Sequence, residues 1–312
     1  MAPQEGQEHI SPESSTQLIG KGQFIKRGRR LPPFFKKRGL GDVRDNGIIN
    51  ENRQVMTNSS SSDIKMSKNK RRSSLEKAVG GKNIFGHAIG ILMLESKFPR
   101  IPGDIGNATT WAFPVVYKVI KHATPDAVVR KGNRALLKAF IKGAQELERE
   151  GVQAITTGCG FLALFQKELA SAVNVPVFTS SMMQVPLVYS MLKQSQKVGI
   201  ITIYSKTLTQ RHLSAVGVDK VPHIIVGTEG EEEFSRVILE DEIELDVEKS
   251  KDELVNVAKK MRSDHPDVGA IVLECTNMTP YAAAIQKETG LPVFDIYTLV
   301  NMVYHAVVRM RF

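Results

Sequence analysis

Short apolar runs alternate with amphipathic stretches along the chain from Phe85 onward. The apolar runs are four to eight residues long and rich in Val and Ile, which is typical of buried strands. Strands that alternate with helices predict an α/β fold whose parallel sheets are built from βαβ units. The predicted strands are residues 87–94, 154–157, 175–178, 198–203, 223–226, 270–273 and 291–294.

The stretches between these runs repeat their apolar positions every three or four residues, as helices that pack by one face do. The clearest example reads NRALLKAFIKGAQELERE and ends at Glu150. A shorter stretch from Trp111, after a loop rich in Pro and Gly, is also predicted to be helical. The predicted helices are residues 111–122, 133–150, 161–172, 231–240, 249–262, 279–288 and 298–309.

Two segments of the chain repeat each other, and each contains one of the two cysteines. Residues 151–178 align without a gap with residues 267–294 at an offset of 116, and seven of the 28 positions coincide. Cys159 is matched by Cys275, and both copies end in Pro-Val-Phe. Each copy predicts a strand, a turn with the cysteine, a helix and a second strand. We therefore expect two similar halves, each with a thiol at the carboxyl end of a strand, where such folds bind ligands.

The first quarter of the chain differs from the rest in composition. Residues 1–82 hold 17 Lys and Arg against 8 Asp and Glu, which accounts for the whole formal net charge of +9. They contain too few apolar residues for a core, so we predict a disordered basic tail. Residues 83–194 are then expected to form a first α/β domain, to which a C-terminal helix at 298–312 returns. Residues 195–297 are expected to form the second domain.

The charge distribution and the cysteine count bear on partners and location. Because the body is electrically balanced, we expect it to bind a small molecule rather than a nucleic acid. No apolar run approaches the ~20 residues of a membrane span, so no membrane association is expected. Two cysteines form no disulfide framework, which favours a reducing compartment such as the cytoplasm. The basic tail is suited to bind an acidic partner or to act as a nuclear or organelle-targeting signal. The alternative is a solvated tail that no specific partner binds.

The first candidate site surrounds Cys159, which is predicted to end a strand where a helix begins. Free backbone N–H groups at that point favour a thiolate, so we expect a lowered pKa for this thiol. Gly158 and Gly160 let the backbone approach a ligand closely, and Phe161 follows. A small buried core cysteine is the alternative. The equivalent placement of the second cysteine favours a functional role for both.

Further candidates are polar residues predicted at the carboxyl ends of other strands. Thr276 and Asn277 follow the second cysteine and offer donors to a bound oxygen. Asp104, in the loop after the first strand, is suited to hold an amino group or to orient a thiol. Helix capping is the alternative for the Thr, Ser and Asn residues. The remaining candidates for substrate binding are Asn107, Thr110, Thr179, Ser180 and Thr202.

The amino-acid sequence resembles a poorly characterised branch of the aspartate/glutamate/hydantoin racemase superfamily. The resemblance runs from about Gly86 to Phe312 and rests on ILMLESKFPRIPGDIGNATTW, CGFLALF, SSMMQVPLV and LECTNM. It implies two pseudo-symmetric, doubly wound α/β domains with the active site in the cleft between them, no cofactor, and a homodimer. It implies that Cys159 and Cys275 act as acid and base, and that Asn107 and Thr110 lie in the loop that contacts the substrate carboxylate. Thr276 matches the Thr that follows the second cysteine in many amino-acid racemases.

The resemblance implies an isomerase: a racemase or epimerase that moves a proton at a carbon next to the carbonyl of an amino acid, a hydantoin or a related acid. Amino-acid racemases of this type usually carry Asn-Thr where this chain has Gly160-Phe161. This departure favours a hydantoin or a more apolar acid over aspartate and glutamate. The alternatives are a maleate-type cis–trans isomerase, an arylmalonate-type decarboxylase and a catalytically inactive ligand-binding protein.

Overall fold

A computed structural model describes residues 80–310 of the chain. The predicted basic tail, residues 1–82, lies outside the described residues apart from its last three. The described part contains two four-stranded sheets in which all paired strands are parallel. The prediction of an α/β fold with parallel sheets is therefore confirmed, while the domain boundaries stay a prediction.

The first sheet has the strand order β2-β1-β3-β4, and its two central strands are buried along their whole length. Such strands read as continuous apolar runs because both of their faces are covered. The main helix of this half, α1, ends at Gly151, whose φ of 88° suits a residue without a side chain. The elements of this half are β1 Ile89–Leu94, β2 Val115–Ile120, α1 Leu137–Glu150, β3 Ala154–Thr157, α2 Gln166–Ser171, β4 Val177–Phe178 and α3 Val185–Ser190.

The second sheet has the order β6-β5-β7-β8, which repeats the topology of the first with each strand number raised by four. In this correspondence β7 is the counterpart of β3, as the internal repeat predicts. The elements of this half are β5 Lys197–Thr202, α4 Gln210–Ala215, β6 His223–Gly227, α5 Phe234–Glu240, α6 Val247–Asp264, β7 Val268–Leu273, α7 Ala282–Thr289 and β8 Val293–Phe294, followed by α8 Ile296–Val307.

The prediction of a helix over residues 111–122 is wrong, because this stretch contains strand β2, which pairs with β1. Pro114 disfavours a helical conformation at the residue before it, and the β-branched residues that follow favour a strand. Strand β2 lies at the edge of the sheet and is only half-buried, so Lys118 can reach Glu146 of α1 at 2.5 Å. A mixed apolar and charged sequence of this kind resembles an amphipathic helix.

The last helix, α8, packs against the first sheet although it follows the second in the chain. Ile296, Leu299 and Val300 of α8 form an apolar cluster with β1, β3 and β4. The carboxylate of Asp295 accepts a 2.9 Å hydrogen bond from the backbone N–H of Thr298 and caps this helix. A larger core cluster contains residues of both sheets and joins the two halves. None of the helices in residues 80–310 is long and apolar enough to cross a membrane.

Candidate active site

Both cysteines line one cavity. Cys159 follows β3 and Cys275 follows β7, which are equivalent strands of the two sheets, and both side chains are buried. The cavity has a volume of about 20 Å³, which is the space of about one water molecule. The cavity is lined by Leu94, Phe98, Pro125, Val129, Gly158, Cys159, Gly160, Phe161, Ile203, Ile238, Glu274, Cys275, Thr276 and Asn277.

Each thiol lies near backbone N–H groups of the helical turn that follows it, as its position at the start of that turn predicts. These N–H groups are those of Phe161 and Leu162 beside Cys159 and that of Asn277 beside Cys275; the N–H of Leu162 donates to the carbonyl oxygen of Cys159 at 3.1 Å. These contacts lower the pKa of each thiol, but burial has the larger and opposite effect. The pKa of Cys159 is raised to about 12, and that of Cys275 is raised well above its usual value. The expected lowering of the Cys159 pKa is therefore wrong, because desolvation outweighs the helix start.

Glu274 is a buried carboxylate beside the thiols that the sequence analysis did not single out. Its Oε2 accepts a 2.7 Å hydrogen bond from the hydroxyl of Thr202, and its Oε1 has no hydrogen-bond partner among the described residues. Burial raises the pKa of Glu274 from 4.5 to about 7, and its charge raises the pKa of both thiols. The signal in the sequence is a charged residue at the end of an otherwise apolar strand.

The loop after β1 reaches the second half through Asp104. This carboxylate accepts a 2.6 Å hydrogen bond from Nδ2 of Asn277, a 3.0 Å bond from Arg100 and a 2.7 Å bond from the backbone N–H of Gly106. Asn277 Oδ1 in turn accepts a 3.5 Å hydrogen bond from the thiol of Cys275. Asp104 therefore orients the Asn277 amide that contacts the Cys275 thiol, while its two suggested roles, holding an amino group or orienting a thiol directly, stay predictions.

Of the residues predicted to bind substrate, four line the cavity: Gly160, Phe161, Thr276 and Asn277. The ring of Phe161 meets that of His212 edge to face at 5.4 Å between centroids. Burial lowers the pKa of His212 to about 4, so this imidazole is neutral at physiological pH. Thr276 donates a 2.8 Å hydrogen bond to the carbonyl oxygen of Gly158 and so ties the two cysteine loops together.

The other predicted substrate-binding residues do not line the cavity, and their polar atoms have protein partners. Asn107 caps a short helical turn and donates to the carbonyl oxygen of Arg100. Thr110 donates to the carbonyl oxygen of Asp104, and Thr202 donates to Glu274. Thr179 Oγ1 bonds Gln166 Oε1, and Ser180 caps the turn that follows it. Contact between these five residues and a substrate stays a prediction.

The described residues contain no group of three or more His, Cys, Asp or Glu side chains that could hold a metal ion. Asp104, Glu274 and the cysteines instead make the separate contacts given above. The polar chemistry that these residues offer is proton transfer and hydrogen bonding by thiols, a carboxylate and an amide.

Comparisons with known proteins identify similar sequences and folds. A family model described as Asp/Glu/Hydantoin racemase matches residues 181–300. A dimethylsulfoniopropionate lyase of Durusdinium sp. clade D is 30% identical over 221 residues, which cover 68% of this chain and 72% of that protein. Dimethylsulfoniopropionate lyase 7 of Emiliania huxleyi (strain CCMP1516) is 30% identical over 225 residues, covering 69% of this chain and 65% of the relative.

One solved structure with a similar fold is the allantoin racemase of Pseudomonas fluorescens. It is 15% identical, with a TM-score of 0.52, and the match covers 71% of this chain and 91% of that one. At this identity the likeness shows the fold, namely two parallel sheets flanked by helices, and leaves the reaction open.

Proposed function

This chain belongs to the aspartate/glutamate/hydantoin racemase superfamily, whose relatives named above are enzymes, and we propose that it transfers a proton at a carbon next to a carboxylate. Cys159 and Cys275 are proposed to carry the proton, and no cofactor is required. The observation that carries this proposal is the placement of both thiols in one buried cavity.

We further propose that the reaction is a β-elimination and that the substrate is a carboxylate with a sulfonium group on its β-carbon, such as dimethylsulfoniopropionate. A thiolate takes the α-proton, the C–H electron pair forms the Cα=Cβ double bond, and the Cβ–S pair leaves with sulfur. The products are acrylate and dimethyl sulfide, and the thiol later releases the proton to solvent. The curated relatives that are named lyases support this outcome.

The composition of the cavity wall also favours a cationic substrate. Among the described residues that line the cavity, none is Lys, Arg or His, and the charged one is Glu274. Half of the lining residues are aliphatic or aromatic, including Phe98 and Phe161, which suits methyl groups on a cationic centre. A positive charge beside a buried thiol lowers its pKa, so such a substrate promotes formation of the thiolate that attacks it.

Cys159 is the better candidate for the thiolate. Burial and the charge of Glu274 raise the pKa of both thiols, but at Cys159 two nearby backbone N–H groups and the charge of Arg100 lower it. At Cys275 one nearby backbone N–H lowers the pKa, and the charge of Asp104 raises it further. We therefore assign Cys159 as the base and Cys275 as the neutral thiol that faces it.

Racemisation or epimerisation is the second candidate function. The observation that favours it is the equivalence of the two cysteines, which follow corresponding strands of two sheets with the same topology. In a two-base reaction one thiolate removes the α-proton and the opposite thiol protonates the other face. The isomerase class that the sequence suggested depends on this second step.

Proton NMR in D₂O separates these reactions. The protein is incubated with dimethylsulfoniopropionate, and separately with single enantiomers of amino acids, 5-substituted hydantoins and small diacids. Elimination appears as acrylate and dimethyl sulfide signals, and racemisation as loss of the α-proton signal with the carbon skeleton intact. The double variant Cys159→Ser, Cys275→Ser is the control. Neither reaction with any of these compounds, or undiminished turnover in the double variant, would contradict the proposal.

A further inference from the structure

One oxygen of the buried Glu274 carboxylate accepts a hydrogen bond from the protein, and the other oxygen has no partner among the described residues. Thr202 binds Oε2 from β5, which fixes the direction of the side chain. Oε1 has no hydrogen-bond partner among the described residues, although the side chain is fully buried and lines the cavity. A buried acceptor without a partner costs free energy, so its persistence calls for a ligand that pairs with it.

The carboxylate is present in only one of the two halves. At the offset of 116 that aligns Cys159 with Cys275, the counterpart of Glu274 is Gly158. At these equivalent positions the cavity therefore has a carboxylate on one side and a glycine on the other. A two-base racemisation needs no such asymmetry, whereas a substrate with a charge at one end does.

The other titratable groups around Glu274 leave its charge unopposed. Cys159 and Cys275 are neutral thiols near pH 7, because their pKa values are strongly raised. Arg100 pairs with Asp104 at 3.0 Å, and His212, behind Phe161, is neutral because its pKa is lowered. Hence none of these groups neutralises the ionised carboxylate.

We propose that Glu274 is the cation subsite of this cavity and pairs through Oε1 with a sulfonium or quaternary ammonium group of the substrate. The inference rests on the proposed function, since it assigns the residue that selects the charged leaving group. The aromatic walls of Phe98 and Phe161 receive the methyl groups around the cationic centre. Bound in this way, the cation stands beside the thiols and stabilises the thiolate during proton removal.

The test is a binding comparison between two ligands of the same shape. The cationic ligand is β-alanine betaine, whose trimethylammonium is a poor leaving group. Its partner, 4,4-dimethylpentanoate, keeps the carboxylate and carries a tert-butyl group in place of trimethylammonium, so it lacks only the positive charge. Calorimetry measures both affinities from pH 5.5 to 8.5 in the wild-type protein and in Glu274→Gln, which keeps the size of the side chain and an acceptor for Thr202.

At pH 8 the wild-type protein is expected to bind the betaine at least about tenfold more tightly than the tert-butyl ligand, as one ion pair in a poorly solvated site allows. The betaine affinity should weaken below pH 7, as Glu274 takes up a proton. Glu274→Gln should lose both the preference and the pH dependence. Thr202→Val keeps the carboxylate but removes a hydrogen bond that lowers its pKa, so the midpoint should move to higher pH.

Three results would overturn the proposal: no betaine binding by the wild-type protein at pH 8, an unchanged preference in Glu274→Gln, or an affinity that falls as the pH rises. The last is the behaviour of a neutral carboxylic acid that donates to the ligand carboxylate. If Glu274→Gln does not fold, the direction of the midpoint shift in Thr202→Val decides. Betaine preference without elimination of dimethylsulfoniopropionate would refute the proposed reaction and leave the subsite standing.

Discussion

The hydroxyl of Thr276 donates a 2.8 Å hydrogen bond to the carbonyl oxygen of Gly158, across 118 positions of the chain. Each of these residues is a direct neighbour of a cysteine in the sequence, so this bond joins the two thiol-bearing loops. Ser181 adds a second link from the first half, a 2.6 Å hydrogen bond to the carbonyl oxygen of Leu273. The relative position of the thiols is therefore set by contacts between the halves as well as by the sheets.

Replacing Thr276 with Val should weaken both stability and turnover. The change leaves the buried carbonyl of Gly158 without its partner, which costs about 1–3 kcal/mol in unfolding free energy. Turnover should fall at least about tenfold, because a misplaced catalytic group is costly. Thr289→Val is the control, since it removes the hydrogen bonds of this hydroxyl to Ile285 and Leu291 at the end of α7, away from the cavity. Urea unfolding and initial rates give both values; equal turnover in the two variants would contradict the prediction.

Single cysteine variants should differ from each other. Cys159→Ser removes the proposed base and should lower elimination by roughly 10²–10⁴-fold. Cys275→Ser should retain a larger share, because the departing sulfide needs no proton. The rate of dimethyl sulfide release measures both, and thermal melting checks that each variant is folded. If the two variants lose activity equally and the α-proton of an intact substrate exchanges in the wild type, the two-base reaction gains support instead.

Gly160 should not tolerate a side chain. A Cβ at this position would lie 2.2 Å from Glu274 Oε1 and 2.4 Å from its carbonyl oxygen, so Gly160→Ala must displace the carboxylate or the backbone. We expect a loss of about 1–3 kcal/mol in stability and a large loss of turnover. Gly230→Ala is the control, because no atom lies within 4 Å of its added Cβ. Similar stability and turnover for the two variants would be the contrary result.

The pH dependence of stability should contain a contribution from Asp295. Burial raises the pKa of Asp295 from 3.8 to about 6, so the folded protein holds this proton more tightly than the unfolded chain. The stability that this supplies is present below pH 4 and is lost as the pH rises to about 6, by at most roughly 3 kcal/mol.

Asp295→Asn removes this titration and keeps an oxygen that can cap α8. The unfolding free energy of the variant minus that of the wild type should therefore increase as the pH rises from 4 to 6, and it should remain at the higher value above pH 6. Urea unfolding at several pH values measures the difference between the two proteins. Parallel stability curves would show that Asp295 does not titrate in this range.

Packing of α8 on the first sheet should contribute a large part of the stability. Leu299 is 3% exposed within the apolar cluster beneath this helix, so Leu299→Ala should cost about 2–5 kcal/mol. Met302 lies on the same helix and is 49% exposed, so Met302→Ala should change stability by no more than about 0.5 kcal/mol. Thermal and urea unfolding measure both changes. Equal losses of unfolding free energy in the two variants would contradict the packing of α8 on the first sheet.

Seven of the eight strands of the described residues, and the repeat that relates the two halves, could be predicted from the sequence. The local pattern of apolar and polar residues indicates directly which positions are buried. A run such as residues 270–273 is apolar throughout since both of its faces are covered. Strand β2 was not predicted because it lies at the edge of the sheet and is not continuously buried. The partly exposed Lys118 and the exposed Val119 interrupt the apolar pattern that marks the other strands. The short helices α3 and α4 contain six residues each and show too little periodicity to be recognised.

By itself, the sequence determined the α/β architecture and singled out the two cysteines, because an internal repeat and a strand-by-strand pattern are properties of neighbouring residues. Only the tertiary structure decided the environment of the thiols. The fixed orientation of the Glu274 carboxylate, the bond between Asn277 and Asp104 and the cavity that both thiols line all arise from residues more than 70 positions apart. Burial depends on everything that surrounds a group, which is why the thiol pKa values are raised although a helix start alone would lower them.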